Sequence, residues 1–287
     1  MKDRIGIIMA GGKGTRLYPL TKVVNKHLLP VHDKPMIYYP LSTLMLAGIR
    51  EILIICTPDH IGLFKSLLGD GKNLGMSIHY LPQDFPAGIA EAFIIGEQFI
   101  DGNQIALILG DNIFYGSYFD QNLKELINTN DANLFSVTVD NPEQFGVIQY
   151  QNDLPKKIIE KPNSPPSQEA ITGLYFYNQD ICDIAKSLKK SERGELEITD
   201  INNYYLQNDQ VIINKLPRNT LWLDTGTFEN LQQCSQIIYG IEKNTNVMIG
   251  CIEEIAFKNN WITKNQIEKT IDRTGNNEYS SYLKKLL

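Results

Sequence analysis

The sequence lacks three features, and each lack excludes a class of protein. No apolar run approaches the roughly 20 residues that a membrane span requires, so we expect no membrane partner. Basic residues are not in excess, since the net charge is −6, which argues against a nucleic-acid-binding surface. The few cysteines show no C-x-x-C spacing, which predicts buried free thiols rather than metal sites or disulfides; they are Cys56, Cys182, Cys234 and Cys251.

The rest of the composition is that of an ordinary globular protein. The 287 residues are 43% hydrophobic and 21% charged, and a chain of this length can bury a large core. The first four residues lead directly into a strand-like run rather than a secretion signal. We therefore expect a cytoplasmic enzyme.

Strand-like and helix-like segments alternate through the first half of the chain. Short, mostly apolar runs predict strands at 5–9, 52–56, 77–81 and 105–109, and helical spacing predicts helices at 36–47, 59–68 and 89–99. This alternation favours a mostly parallel sheet that is covered by helices on both faces. Ligands of such sheets gather at the carboxyl ends of the strands, where residues 11–16 and 110–112 fall.

The second half of the chain has a different pattern. Turn residues separate strand-like segments at 134–139, 146–150, 157–160, 172–177 and 211–216, with helices predicted at 181–188 and 196–206. After residue 228 the pattern is mostly helical, with helices predicted at 231–241, 251–259 and 279–287. We expect an α/β fold with a small β-containing part and a helical C-terminal tail.

A glycine-rich, cationic loop follows the first predicted strand. Its sequence, A-G-G-K-G-T-R, has three glycines in four positions, which lets backbone N–H groups approach a bound anion. Arg16 adds a planar charged group that suits phosphate oxygens, and Lys26 follows nearby. The spacing fits neither a Walker loop nor the G-x-G-x-x-G dinucleotide motif. The loop predicts a polyphosphate site of another kind, with an ordinary strand-to-helix turn as the alternative.

Two aspartates supply the second strong signal. Asp111 follows the apolar strand at 105–109, and Asp224 lies in the turn W-L-D-T-G. Mg²⁺ prefers one or two carboxylates together with phosphate oxygens and water, so two converging aspartates would suit it. A helix N-cap is the alternative for Asp111, and a structural turn is the alternative for Asp224. The sequence near these motifs contains no Ser/His or His/Asp constellation, so it gives no sign of a nucleophile or a general base.

Taken in order, these motifs resemble those of the sugar-phosphate nucleotidylyltransferase family. The matching segments are G-x-G-T-R with Lys26, D-K-P-M-I-Y-Y-P-L at 33–41, E-K-P at 160–162, R-G-E-L-E-I-T-D at 193–200 and W-L-D-T-G at 222–226. The resemblance implies a Rossmann-like nucleotidyltransferase fold with a catalytic domain at 1–240 and a helical C-terminal extension at 241–287. Within the catalytic domain it implies a nucleotide-binding part at about 1–115 and a sugar-phosphate-binding part at about 116–227.

The segment at 36–47 is most similar to family members that transfer a thymidylyl group to glucose 1-phosphate. This resemblance implies a Mg²⁺-dependent reaction of dTTP with α-D-glucose 1-phosphate, which gives dTDP-glucose and diphosphate. It also implies a homotetramer, feedback by a dTDP-sugar such as dTDP-rhamnose, and a first step of dTDP-deoxysugar synthesis for bacterial polysaccharides.

The resemblance assigns a role to each matching residue. The residues implied as catalytic are Arg16, Lys26, Lys161, Asp111 and Asp224, of which Asp111 and Asp224 hold the metal. The residues implied to bind the nucleotide are Gly11, Gly12, Gly14, Thr15, Arg16, Lys26, His27, Gln83, Gly88 and Asp111. The residues implied to bind the sugar phosphate are Asn112, Gly146, Glu160, Lys161, Ile171, Gly173 and Arg193.

The predicted base pocket departs from the family pattern. Asp84, Phe85 and Ala87 differ from the usual residues there, and His27 stands where glutamine is common. These differences leave a related enzyme that prefers UTP as an alternative. A non-catalytic sugar-nucleotide sensor is the second alternative, although a sensor would need no paired metal ligands.

Overall fold

The computed structural model describes residues 4–126 and 130–287, and strands alternate with helices through its first part. The elements are β1 (Ile5–Ala10), β2 (Pro30–Val31), β3 (Lys34–Pro35), α1 (Tyr38–Leu46), β4 (Glu51–Cys56), α2 (Ile61–Leu68), β5 (Ser77–Pro82), α3 (Glu91–Ile95), α4 (Glu97–Ile100), β6 (Ile105–Leu109), β7 (Asn112–Tyr115) and α5 (Ser117–Leu126). The helix predicted at 89–99 is broken at Gly96. A Cβ there would lie 3.0 Å from Leu53 Cδ2, so glycine lets this segment pack closely on the sheet.

The second part contains the remaining strands and most of the long helices. Its elements are β8 (Ala132–Thr138), β9 (Gly146–Gln151), β10 (Leu154–Glu160), β11 (Glu169–Tyr177), α6 (Ile181–Ser187), α7 (Ile198–Gln207), β12 (Val211–Lys215), β13 (Leu221–Asp224), α8 (Phe228–Thr245), α9 (Ile252–Lys258), α10 (Lys264–Thr274) and α11 (Glu278–Lys284). Among the described residues, no helix has the length and apolar character needed to cross a membrane.

The sequence pattern does not predict α10. This helix buries only Ile267 and Ile271, so its apolar stripe is narrow. Its start is instead marked by a capping box, in which Thr263 and Gln266 exchange hydrogen bonds between side chain and backbone.

A nine-stranded mixed sheet organises the molecule in the order β10-β9-β11-β6-β1-β4-β5, with β8 beside β11 and β12 beside β8. Strand β1 is parallel to β4 and to β6, with Ile7 opposite both Leu53 and Leu107. On the far side of β6, strand β11 runs antiparallel and begins the part formed by the second half of the chain. The predicted α/β fold with a central, helix-flanked sheet is confirmed, and the later strands extend the same sheet.

Alternate residues of the central strands enter two apolar clusters on opposite faces of the sheet. Ile8 belongs to the cluster that includes Leu41 of α1 and Ile252 of α9. Ile7 belongs to the cluster that includes Phe93 of α3. The C-terminal helices therefore cover the α1 face, a packing partner that their sequence alone does not indicate.

All four cysteine thiols are buried and free. Cys56 and Cys251 belong to the cluster on the α1 face, and Cys182 belongs to the cluster on the opposite face. Burial raises the pKa of Cys56 to about 12 and that of Cys182 to about 11, so these thiols stay protonated and inert.

Candidate active site

Two loops meet at the carboxyl edge of the sheet. Strands β1 and β6 are parallel neighbours with Met9 opposite Leu109. The Gly110 amide donates to the Met9 carbonyl at 2.9 Å, which continues this pairing past the end of β6. Asp111 therefore lies beside the glycine-rich loop at 11–14.

Lys26 reaches the same edge through a turn that Asn25 fixes. The Asn25 amide donates to the Ala10 carbonyl at 3.0 Å, and its Oδ1 accepts from the His27 backbone at 2.9 Å. The turn directs the Lys26 ammonium onto the Asp111 carboxylate, with which it forms an ion pair. Each side chain of this pair is only 13% exposed.

The glycine-rich loop is shaped by close contacts. Gly14 has φ +60°, and a Cβ there would lie 2.8 Å from Thr21 Cγ2. Arg16 follows in the short 3-10 helix Thr15–Leu17. Its guanidinium lies against Gly226, where a Cβ would be 2.8 Å from Nη2. Arg16 therefore extends from the loop to the turn that holds Asp224.

A two-stranded antiparallel ribbon of β7 and β13 brings the two aspartates together. Asp224 lies opposite Asn112 in this ribbon. The Thr225 amide and hydroxyl both donate to the Asp111 carbonyl, at 3.0 and 2.9 Å. Residues more than 100 positions apart thus place both carboxylates at one end of a cavity.

The two carboxylates have opposite electrostatic environments. Burial alone would raise the pKa of Asp111, but the charge and hydrogen bond of Lys26, together with smaller contributions from other neighbours, outweigh burial and hold this pKa below its usual range. Burial and the neighbouring Asp111 charge together raise the pKa of Asp224 to about 6. The Gly226 amide donates to Asp224 at 2.9 Å and opposes this shift only in part.

The chemistry of this donor set fits a divalent cation. Two carboxylates face a cavity that can admit phosphate oxygens, which is the combination that Mg²⁺ prefers. The raised pKa of Asp224 reflects burial and, after it, a repulsion from Asp111 that a bound cation would relieve. Asp111 and Asp224 could therefore hold a metal.

The other end of the cavity is built around Glu160, the last residue of β10. Its carboxylate accepts a hydrogen bond from the Thr199 hydroxyl. The Lys161 ammonium lies 3.6 Å from the Glu160 carboxylate, and the Lys161 side chain is half exposed. Gly146 lies opposite Glu160 across the β9–β10 pair. This end therefore offers the Glu160 carboxylate as an acceptor beside the half-exposed Lys161 ammonium.

One cavity of about 790 Å³ joins the two ends. The predicted site residues that line it are Gly12, Gly14, Thr15, Arg16, Lys26, Asp111, Asn112, Gly146, Glu160, Lys161, Ile171 and Asp224. This volume lies within the range of about 300–1,000 Å³ that is typical of small-molecule sites. The cavity thus brings both predicted groups of ligand contacts together.

Several predicted nucleotide contacts lie outside the lining of this cavity. Gln83 is 4% exposed and donates to the Glu91 carboxylate at 2.7 Å. A Cβ at Gly11 would lie 2.3 Å from Gln83 Oε1, so Gly11 lets the backbone pass over this amide. Gly88 has φ +105° and packs on the backbone of Leu196, which a Cβ would meet at 2.2 Å.

His27 also lies outside the lining of the cavity. Its side chain is 1% exposed, and Nδ1 is 2.7 Å from Asn25 Oδ1. Burial and the charge of Lys26 lower the pKa of His27 to about 3, so the ring is neutral. The ring packs against Gly110, where a Cβ would be 2.6 Å from Cδ2.

The remaining two predicted sugar contacts are engaged with protein groups. The Gly173 amide donates to Asn112 Oδ1 at 3.0 Å. The Arg193 guanidinium forms an ion pair with Glu197 at 2.8 Å and lies 3.5 Å from Glu160. Arg193 therefore supports the Glu160 end of the cavity from outside its lining.

Sequence reasoning assigned no role to several residues that line the cavity; among them are Phe145, Tyr175, Thr199 and Trp222. Thr199 and Trp222 belong to recognised motifs, which is a usable signal. Their partners, Glu160 and Asn112, are 39 and 110 positions away, so spacing along the chain could not identify these contacts.

Comparison with known proteins identifies the class. The family model described as Nucleotidyl transferase matches residues 5–239. The chain therefore belongs to the nucleotidyl transferase family. Within that family, the resemblance predicted from the motifs is confirmed by full-length relatives.

The similar curated proteins are named glucose-1-phosphate thymidylyltransferase. The one from Neisseria meningitidis serogroup A is 50% identical over 284 residues, which cover 98% of this chain and 99% of the relative. The one from Mycobacterium tuberculosis is 44% identical over 283 residues, or 98% of each chain.

Solved structures show the same fold. A Bacillus anthracis crystal structure in complex with sucrose, also described as a glucose-1-phosphate thymidylyltransferase, is 43% identical with a TM-score of 0.75; the match covers 81% of this chain and 94% of that one. A UDP-glucose pyrophosphorylase complexed with UDP-glucose has a TM-score of 0.73 at 24% identity, covering 83% and 99% of the two chains, and shows similarity of fold alone.

Proposed function

We propose that the protein transfers a thymidylyl group from dTTP to α-D-glucose 1-phosphate, which gives dTDP-glucose and diphosphate. The observation that carries this proposal is the single cavity that places a cationic glycine-rich loop and two aspartates at one end and Glu160 with Lys161 at the other. Full-length relatives with this name support the choice of substrates.

The reaction is an in-line displacement at phosphorus. An oxygen of the sugar phosphate attacks the α-phosphorus of dTTP, a new P–O bond forms, and the bond to the β-phosphate breaks as diphosphate leaves. The sugar phosphate is already anionic at neutral pH, so no general base is needed. Catalysis then consists of positioning and charge neutralisation.

The cations at the loop end neutralise the triphosphate. Arg16, which is exposed beside the loop, and Lys26 would contact the phosphates and the departing diphosphate, together with backbone N–H groups at 11–14. Asp111 and Asp224 would hold Mg²⁺, which when bound supplies positive charge against the phosphoryl oxygens. Because Lys26 is paired with Asp111, it is also fixed beside this position before substrate binds.

The Glu160 end positions the sugar phosphate. Lys161 would bind its phosphate as a point charge, while Glu160 and Asn112 would bind the sugar hydroxyls beside Gly146 and Ile171. The base contacts proposed from the family resemblance are Gln83 and Gly88, which lie outside the lining of the cavity. We propose a supporting role for His27, because its neutral ring is enclosed beneath the loop.

Other proposals rest on family resemblance alone. They are assembly into a homotetramer, feedback by a dTDP-sugar and location in the cytoplasm. The preference for dTTP over UTP also rests on resemblance. The base-pocket residues give it no support of their own, because Asp84, Phe85 and Ala87 differ from the family pattern.

The test is diphosphate release with glucose 1-phosphate and Mg²⁺, with dTTP, UTP, ATP, CTP and GTP in parallel. We expect a strong preference for dTTP. Equal or better use of UTP would keep the chemistry and change the product. No release with any triphosphate, from protein that still binds dTDP-glucose, would make the protein a sugar-nucleotide sensor and overturn the proposal.

A further inference from the structure

The side-chain amide of Asn112 has its orientation fixed by two neighbouring groups. Its Oδ1 lies 3.0 Å from the Gly173 backbone nitrogen and 2.7 Å from Trp222 Nε1. A backbone N–H and an indole N–H can only donate, so both require an acceptor. Asn112 is 3% exposed, and its oxygen must therefore face these two donors.

The backbone at Gly173 is shaped for this contact. The pairing of β11 with β8 shifts register between Ile171 and Tyr175, so Gly173 lies where the regular ladder is interrupted. Its N–H is thereby free to donate to a side chain. A Cβ at Gly173 would lie 2.6 Å from Asn112 Oδ1, so glycine is needed for the close approach.

The Trp222 side chain is also held in place by its neighbours. Its ring packs edge-on against Phe145, with ring centroids 5.1 Å apart. Trp222 lies opposite Phe114 in the β7–β13 ribbon, two positions from the Asp224–Asn112 pair and so on the same face of the ribbon. The indole N–H is therefore held toward Asn112 by both strand pairing and ring packing.

The orientation of the amide determines what Asn112 can offer a ligand. With Oδ1 occupied, one hydrogen of the NH₂ group is directed to Asp111 Oδ1 at 3.3 Å. The second hydrogen has no partner among the described residues, and Asn112 lines the cavity. Asn112 can therefore donate to a ligand but cannot accept from it.

We propose that Trp222 is a positioning residue that, together with the Gly173 amide, makes Asn112 a donor-only contact for a sugar hydroxyl oxygen. This proposal rests on the proposed function, because it specifies how the same cavity recognises the sugar of its sugar nucleotide. Without the indole donor, only the Gly173 amide holds the oxygen of Asn112, so the side-chain amide can turn over more readily and this selectivity is weakened.

The test compares the binding of dTDP-glucose and dTDP by equilibrium titration, because the ratio of their dissociation constants isolates the sugar. Trp222→Phe keeps an aromatic ring to pack on Phe145, removes the N–H donor and makes the side chain smaller by one ring. We expect this variant to weaken dTDP-glucose binding about tenfold and to leave dTDP binding within about twofold of the original. A general structural defect would weaken both ligands.

Two further variants complete the test. Trp261→Phe is the matched control, since Trp261 packs over Arg50 away from the cavity, and we expect no change for either ligand. Asn112→Leu keeps a side chain of similar size and removes the donor without adding charge, and we expect the same selective loss as in Trp222→Phe. Because Trp222 acts through Asn112, the double variant should lose no more than about the larger single loss.

Two results would overturn the proposal. One is dTDP-glucose binding by Trp222→Phe within about twofold of the original protein. The other is additive losses in the double variant, which would mean that Trp222 contacts the ligand independently. Neither depends on turnover, so failure of the proposed reaction, seen as absent diphosphate release, is distinguished from failure of this inference.

Discussion

At the scale of single residues, the main electrostatic feature is the unequal pair of aspartates. Lys26 stabilises the charge on Asp111, and Asp111 in turn destabilises the charge on Asp224. A buried carboxylate with a raised pKa lowers the stability of the folded protein wherever it is ionised. The proposed metal-binding role of Asp224 therefore comes at the expense of stability in the metal-free protein.

This gives a pH-dependent prediction for Asp224→Asn in metal-free protein. The unfolded carboxyl titrates near 4 and the folded one at about 6, so the stability of the original protein falls as pH rises through this window and is level above it. We expect the variant to be more stable by about 1–3 kcal/mol at pH 7.5, with no gain at pH 4, while losing nucleotidyl transfer. Urea unfolding in EDTA at both pH values measures this.

Asp272→Asn is the control for this prediction, because Asp272 is exposed on α10 and should show no such difference. Stability of Asp224→Asn equal to or below that of the original protein at pH 7.5 would be incompatible with a repelled, buried carboxylate at this position.

The sequence allowed many individual site residues to be predicted, but not their mutual contacts. The glycine-rich loop, Arg16 and Asp111 follow from local patterns around strand ends. The donor from Trp222 to Asn112 depends on a ribbon that joins distant segments. Such a contact has no local signal, because neither residue's neighbours in sequence specify the partner.

At the scale of elements, the turn at 83–88 depends on one glycine. Gly88 has φ +105°, and the Leu196 carbonyl lies 2.2 Å from where a Cβ would be. The Leu196 amide in turn donates to the Ala87 carbonyl at 2.7 Å. This pairing attaches the predicted base-binding turn to the start of the segment that leads into α7.

We therefore predict opposite effects for two glycine-to-alanine changes. Gly88→Ala should lower the free energy of unfolding by about 2 kcal/mol or more, because of strain and the backbone clash. Gly240→Ala, inside α8 with open space around it, should raise the free energy of unfolding by about 0.5–1 kcal/mol. Denaturant unfolding of both variants measures this, and a tolerated Gly88→Ala would contradict the described packing.

Element prediction succeeded where the apolar pattern was strong. The strand at 105–109 has the predicted bounds, and β1 and β4 differ by at most one residue. Prediction failed for α10, whose buried stripe is narrow, and at Gly96, where packing against the sheet overrides helical spacing. At Gly96 a tertiary contact overrides the local preference, whereas the start of α10 depends on a local capping box that the apolar pattern does not reveal.

At the scale of the whole molecule, one continuous sheet serves both ends of the cavity. The parallel strands β1 and β6 present the glycine-rich loop and Asp111, and β11 continues from β6 toward the strands that present Glu160. The domain boundary at residue 240 stays a prediction, as does the division near residue 115 between the nucleotide-binding and sugar-phosphate-binding parts. The shared sheet explains how residues from both halves can act on one reacting phosphorus.

This arrangement predicts that Arg16 and Lys161 bind different substrates. Arg16→Ala and Lys161→Ala should each lower turnover by about two orders of magnitude without unfolding the protein, since each removes a charge-assisted contact in the transition state. We expect Lys161→Ala to raise KM chiefly for glucose 1-phosphate and Arg16→Ala to raise KM chiefly for dTTP. Lys156→Ala, an exposed cation on the same strand β10 as Glu160, is the control.

The most direct measurement is the steady-state rate of diphosphate release by these variants, with each substrate varied in turn. We predict a large loss of turnover for Arg16→Ala and Lys161→Ala. The KM for dTTP should rise chiefly in Arg16→Ala and the KM for glucose 1-phosphate chiefly in Lys161→Ala, while Lys156→Ala should show no change. A loss under about threefold in either cavity variant would remove that residue from the mechanism and contradict the proposed site.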